Sequence, residues 1–404
     1  MKVVVAIDSF KGSMTSMQAG NACKEGILAA AHAHCGSGAA AAKDRKPAAD
    51  NMKVVVKPLA DGGEGTVEAL VEGMSGTYEY VLVTGPMGNP VKARYGILPD
   101  QTVVMEMAEA SGITLVKEPL NPWKAASTGV GEMILDAVQK GCRKFIIGIG
   151  GSATTEGGIG MLSALGYDFM DENGDILPPV FASLEKVVQI ENNRVPEVLK
   201  DCHFQIACDV TNPLCGAQGC VYVFGAQKGV KEEEKESMDR AMQSYAACLE
   251  KFTGKKLSEI PGTGAAGGLG FAFLWGLPNV ELKPGIDIVL EAVGLASELQ
   301  DADIVVTGEG CLDFQTAMGK VPVGVAKIAK NYNCKVIAFA GSVTEEAKKC
   351  NEKGIDAFFS ILPGVCSLDE AMDTEIAQKN MRNAAEQVFR LILACGKEKS
   401  SLHP

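Results

Sequence analysis

The chain has 404 residues, 47% hydrophobic and 22% charged, a globular composition too long for one hydrophobic core, so two domains are expected. Its 38 basic residues stand against 50 acidic ones, a net charge of −12, which argues against nucleic acid or an anionic membrane surface as partner while leaving small anionic substrates open. The 13 cysteines are scattered without any C-x-x-C, and no apolar stretch reaches membrane-spanning length, so reduced thiols in a cytoplasmic protein are expected.

In chain order, the apolar run 3–7 ends at Asp8, too short for a secretory signal and read as a first strand. Thr15-Ser16-Met17-Gln18 spells a capping box opening a helix that reaches Ile27. Residues 29–51 are biased towards Ala, Gly and Ser, an exposed connection or helix extension. Its His32, His34 and Cys35 lack a fourth ligand and are read as surface residues, not a metal site. A second strand follows at 52–56. Residues 78–107 hold strand-like segments joined by Gly85-Pro86 and Leu98-Pro99-Asp100, the pattern of antiparallel hairpins. Val130, Met133, Ile134, Ala137 and Val138 repeat at helical spacing after a Ser127-Thr128 cap, and a buried strand is expected at 145–149. Residues 168–212 are mixed, with His203 opening a strand. Met238, Met242, Tyr245, Leu249 and Phe252 mark a long helix. Strands at 304–306 and 336–339 lead to a terminal helix marked by Val388, Leu391 and Ile392.

Continuous apolar strands alternating with helices imply a parallel sheet covered on both faces. The expected fold class is therefore α/β with two domains. A doubly wound, Rossmann-like domain is built from residues 1–77 and 285–404, and a mixed α/β domain, 78–284, is inserted into it, with the active site in the interdomain cleft.

In such sheets ligands bind beyond the carboxyl ends of the strands, so the segment after each strand reads as active-site rim. Asp8, Ser9, Lys11 and Gly12 follow the first strand; Asp61, Gly62, Gly63, Glu64 and Gly65 follow the second. Glu309, Gly310, Cys311 and Asp313 follow the strand at 304–306, with Gly319-Lys320 beyond. The middle of the chain adds Gly148, Gly150, Gly151 and Ser152 after a buried strand, Asp209 at the end of another, and Gln227-Lys228-Gly229 after a further one. Glycine amides and helix N-termini receive phosphate, while carboxylates with lysines suit Mg²⁺-assisted phosphoryl transfer. The four His residues, 32, 34, 203 and 403, fall outside these loops, which disfavours a Ser-His-Asp hydrolase and a zinc enzyme. No Walker motif occurs. Gly262, Gly264 and Gly267 match G-x-G-x-x-G, but Ser258-Glu259-Ile260-Pro261 precedes them where a dinucleotide site needs a strand.

Together DSFKGS at 8–13, ADGGEGT at 60–66, TGPMG at 84–88, GIGGSAT at 148–154, FGAQKG at 224–229, GAAGGLG at 264–270 and the TGEG segment from 307 to Lys320 resemble the bacterial glycerate kinase family, in its order and over nearly the whole chain. The resemblance implies an ATP-dependent phosphotransferase with an alcohol acceptor, D-glycerate, phosphorylated at the 2-hydroxyl to 2-phosphoglycerate rather than 3-phosphoglycerate. It implies ATP and Mg²⁺ as cofactors and leaves a homodimer open. Cys311 stands where the family often has a basic residue, Thr155-Glu156 where Asn-Asp is common, and Ala226 where Pro is usual; the 29–51 connection is longer than usual.

Within that resemblance Lys11, Asp61 and Asp209 are the catalytic candidates. Lys11 would clamp substrate carboxylate or transferred phosphate, or instead salt-bridge Asp61; Asp61, Glu64 or Asp209 would accept the hydroxyl proton, since no His is available. Asp61 and Glu64 are the Mg²⁺ candidates. Asp8, Ser9, Gly62, Gly63, Gly150, Gly151, Ser152, Lys228, Glu309, Asp313 and Lys320 are expected to bind substrate or phosphate. A kinase for another small hydroxy acid, or a non-catalytic nucleotide or metabolite sensor, are the alternatives, and an NAD-dependent oxidoreductase ranks last.

Overall fold

The computed structural model describes residues 1–36, 52–117 and 119–395. They divide into two compact units, Met1–Asp61 with Val289–Pro404, and Gly62–Ile288. The first division falls at Asp61, earlier than the expected 77. The helix Thr66–Met74 explains the shift, since it packs on the strands Pro90–Ile97 and Thr102–Glu106 of the second unit. Most of the 29–51 connection, with the Cys35 side chain and His403, lies outside the described residues.

The first unit is a five-stranded parallel sheet in the order Ala357–Ser360, Lys335–Val343, Ile304–Leu312, Lys2–Val5, Lys53–Val56. Val3, Val4 and Val5 pair with Ile304, Val305 and Val306 on one side and with Val54, Val55 and Val56 on the other. Such β-branched runs suit a strand buried on both faces. Thr15 N–H donates to Gln18 Oε1 at 2.9 Å and Gln18 N–H to Thr15 Oγ1 at 3.2 Å, so the capping box forms and starts the helix Ser16–Gly36. The helix Thr374–Cys395 packs on it, burying Ala377, Met381, Ala385 and Phe389 at steps of four. The expected stripe is displaced: Leu391 is 63% exposed, whereas Val388 and Ile392 flank the core.

The second unit holds a six-stranded mixed sheet. Val280–Lys283, His203–Ala207, Lys144–Gly148 and Thr102–Glu106 run parallel, then Pro90–Ile97 and Thr77–Thr84 add antiparallel, as the hairpin pattern predicts. Phe145 and Phe204 stack at 4.8 Å between centroids. The helix Thr128–Gln139 buries Val130, Met133, Ile134, Ala137 and Val138. Lys235–Thr253 buries Met238, Met242, Tyr245 and Leu249, while Phe252 is half exposed against Trp275. Ser127 stands at the first helix's N-cap, but its side chain does not cap it; it turns to Glu156. The segment before Gln227 is also not a strand: Cys220–Phe224 is a short helix, because Cys220 and Val221 are drawn into the core together. Among the described residues no helix is long and apolar enough to cross a membrane, and the cysteines are free thiols.

Candidate functional site

Strand order in the first unit reverses between Lys2–Val5 and Ile304–Leu312: the chain builds outward to Lys53–Val56 on one side and to Ala357–Ser360 on the other. A reversal opens a crevice at the carboxyl ends, because the two neighbouring connections depart in opposite directions. A cavity of about 410 Å³ lies there, lined by Asp8, Ser9, Lys11, Asp61, Glu309, Cys311, Asp313 and Lys320. Phe10, Ile361, Leu362, Leu368 and Met372 add an apolar part to the lining.

Charge is concentrated on the polar part. Asp8 is only 5% exposed, and burial, reinforced by the Asp61 charge, lifts its pKa to about 7 against the pull of the Ser9 N–H that it accepts at 2.6 Å. Burial also raises Glu309, which accepts from the Thr316 hydroxyl and feels Lys320 and Asp61. Asp313 caps the next helical turn by accepting from Thr316 N–H at 3.1 Å. Lys320 is the N-cap of the helix Val321–Asn331, whose Pro in the first turn is preset for that position. Lys11 Nζ lies 3.3 Å from Asp61 Oδ2 with 63% of its side chain exposed, so the anticipated ion pair forms; at that exposure it is worth about 0–1 kcal/mol, and a ligand can redirect it.

A second cavity of about 330 Å³ belongs to the other unit, at the carboxyl ends of its parallel strands. Gly62, Gly63, Gly150, Gly151, Ser152, Asp209, Gln227 and Lys228 line it. Gly62 has φ +90°, and a Cβ there would sit 2.4 Å from Gly285 Cα, so this wall is built of bare backbone. Asp209 is exposed and oriented, its Oδ1 accepting from Gly285 N–H at 2.9 Å. Lys228 is 3% exposed; Nζ donates to Ser152 Oγ at 2.7 Å and to the Thr154 carbonyl at 2.6 Å, and burial lowers its pKa to about 8.

The glycerate kinase family model matches residues 3–393. A Bacillus subtilis glycerate kinase is 41% identical over 96% of this chain and 98% of its own length, and an Escherichia coli glycerate 2-kinase is 41% identical over 92% and 93%. A crystal structure assigned to glycerate kinase 2 of Salmonella typhimurium superposes with TM-score 0.86 at 39% identity, covering 98% of this chain and 99% of that one. The chain belongs to the glycerate kinase family.

The family motifs sort onto the two cavities. DSFKGS and TGEG supply the first, GIGGSAT and FGAQKG the second, and ADGGEGT is shared out, Asp61 lining one and Gly62-Gly63 the other. Glu64 is exposed and lines neither cavity. Among the described residues no cluster of three or more His, Cys, Asp or Glu has metal-holding geometry. Ser258-Glu259-Ile260-Pro261 forms a turn, so the G-x-G-x-x-G match has no strand before it.

Sequence reasoning missed two features. The apolar lining of the first cavity comes from segments far apart in the chain, with no local signal. Glu156 stands out in the sequence only as a departure from the family pattern; it is wholly buried and accepts from Ser127 N–H at 2.7 Å, the Ser127 hydroxyl and Gly158 N–H at 2.8 Å. It thereby ties the GIGGSAT loop to the start of Thr128–Gln139, and burial raises its pKa.

Proposed function

We propose that this chain is an ATP-dependent glycerate kinase that phosphorylates D-glycerate at the 2-hydroxyl. The reading is carried by the near full-length match to glycerate kinases, one of them named a glycerate 2-kinase, in a chain whose carboxylates and lysines gather at a sheet's switch point.

The first cavity suits a metal-bound nucleotide. Phe10, Ile361, Leu362, Leu368 and Met372 offer apolar surface for a purine, and Lys11, Lys320 and the N-terminus of Val321–Asn331 offer positive potential for phosphates. Burial, then the Asp61 charge, raises the Asp8 pKa, and these carboxylates would hold a hard divalent cation only together with the nucleotide's own phosphate oxygens, since they form no metal cage by themselves. Mg²⁺ held there would neutralise charge on the β- and γ-phosphates. The γ-phosphoryl group leaves the bridging oxygen of ADP and bonds to the acceptor oxygen, whose proton passes to a carboxylate. Asp209 is that base: it stands in the second cavity, already aimed by Gly285 N–H.

The test is ADP release with Mg-ATP and D-glycerate, followed by phosphorus NMR of the product. Glycerate-dependent turnover to 2-phosphoglycerate is expected. A 3-phosphoglycerate signal would move the regiochemistry, and turnover only with other hydroxy acids would overturn the acceptor assignment.

A further inference from the structure

Lys228 presents a physical problem that the fold alone does not solve. An ammonium group buried to 3% exposure is costly unless a counter-charge or several acceptors stabilise it. Two of its three N–H donors are used, on Ser152 Oγ and the Thr154 carbonyl, both neutral. Among the described residues no carboxylate pairs with it. Buried Glu156 acts on it at a distance and is engaged by the donors of Ser127 and Gly158, while Cys220 is a buried thiol whose own pKa is raised to about 12. Yet Lys228 lines a cavity, so the third donor has somewhere to point.

Gly150 supplies an independent observation. A Cβ added there would meet nothing closer than Gly63 Cα at 3.8 Å, and its φ lies outside the left-handed range that demands glycine. Neither crowding nor backbone strain calls for glycine at that point. The space a side chain would fill is the cavity itself, and a bare backbone there lets a ligand approach closely.

We infer that the second unit's cavity is an anion subsite in which Lys228 binds the carboxylate of the acceptor hydroxy acid, seated over the bare backbone at Gly150. The inference rests on the glycerate kinase reading for the identity of the acid. One cation and about 330 Å³ suit a three-carbon carboxylate; a nucleotide phosphate is the competing source of the same charge. Binding completes the ion pair that the fold lacks and holds Lys228 protonated. Above its pKa of about 8 the empty site loses that proton, with Glu156, Cys220 and Asp209 the titratable groups around it.

The experiment is calorimetric titration of D-glycerate, glycerol and Mg-ADP into wild type, Lys228→Met and Gly150→Ala, with thermal melting to verify folding. Lys228→Met is expected to weaken D-glycerate about 100-fold or more while Mg-ADP binding stays within about twofold. Gly150→Ala, whose Cβ meets only Gly63 Cα at an ordinary 3.8 Å, is expected to fold normally and weaken D-glycerate about tenfold. Glycerol, lacking the carboxylate, should bind neither wild type nor variant detectably. In turnover, the wild-type KM for D-glycerate should rise above pH 8 with KM for ATP flat. Unchanged D-glycerate affinity in Lys228→Met, or loss of Mg-ADP in its place, would overturn the inference even if wild type turns glycerate over. Wild type that binds D-glycerate through Lys228 yet never phosphorylates it would sustain the inference and sink the kinase assignment.

Discussion

The two cavities solve opposite electrostatic problems with similar strand-end loops. In the first unit carboxylates outnumber cations: Asp8, Asp61, Glu309 and Asp313 face Lys11 and Lys320, and burial, reinforced by the Asp61 charge, lifts Asp8 to about 7. In the second unit a single buried ammonium stands among glycine backbone and hydroxyls, with Asp209 oriented nearby. A surplus of buried negative charge asks for a metal cation; an uncompensated cation asks for an anion. Loops of the same composition, glycine with an acid or a lysine, thus acquire different roles from what burial does to each charge.

The contrast breaks most sharply at Asp209. Asp209→Asn is expected to lower kcat by about 10²- to 10⁴-fold, the usual contribution of a positioned base, with far smaller changes in either KM. Steady-state kinetics with folded variant decides it, and a kcat within a fewfold of wild type would remove Asp209 from the chemistry.

Asp8 sharpens the comparison through stability. Its pKa in the folded protein, about 7, lies above the ordinary 3.8, so the folded state favours the protonated acid. That contribution is complete below about 3.8 and is lost as pH rises through about 7. At 1.36 kcal/mol per pH unit this is on the order of 4 kcal/mol without metal. Asp8→Asn should therefore unfold at higher denaturant than wild type at pH 7.5, by an amount that shrinks towards pH 4. Equal midpoints at both pH values would mean that the fold does not disfavour the ionised Asp8 carboxylate. Added Mg²⁺ should narrow the gap at pH 7.5.

Glu156 tests the second region by packing rather than charge. Glu156→Ala leaves buried Ser127 and Gly158 donors without acceptors, at about 1–3 kcal/mol. Thermal melting should show the loss, and Mg-ADP affinity should not follow it. The smallest effect belongs to Cys311, which lines the first cavity. Cys311→Lys adds a cation beside the phosphate positions and should lower KM for ATP about twofold to fivefold, leaving KM for glycerate unchanged in the same assay.

Much of this arrangement is legible in the sequence because it follows from local rules. Valine runs at 3–5 and 54–56 mark parallel strands, the first buried and the second a half-buried edge, the Thr15–Gln18 capping box forms as spelled, and acid–glycine loops fall where strands end. What escapes is tertiary in origin. Cys220–Phe224 has strand-like composition and folds as a helix because core contacts outweigh propensity. Leu391 fits a helical stripe by spacing, yet the face that meets Ser16–Gly36 is the one carrying Met381, Ala385 and Phe389. The division of one motif between two cavities, Asp61 to the first and Gly62 to the second, leaves no trace in composition. Nor does the burial of Lys228, which turns an ordinary lysine in a glycine-rich segment into the centre of an anion site.

The most direct test of this sorting is calorimetric binding of ADP, with and without Mg²⁺, to wild type and Asp61→Ala, alongside D-glycerate. Wild type should bind Mg-ADP well and ADP alone weakly. Asp61→Ala should bind both equally weakly and D-glycerate as wild type does. Full Mg-ADP affinity in Asp61→Ala, or loss of D-glycerate in its place, would contradict the assignment of the metal-bound nucleotide to the first cavity.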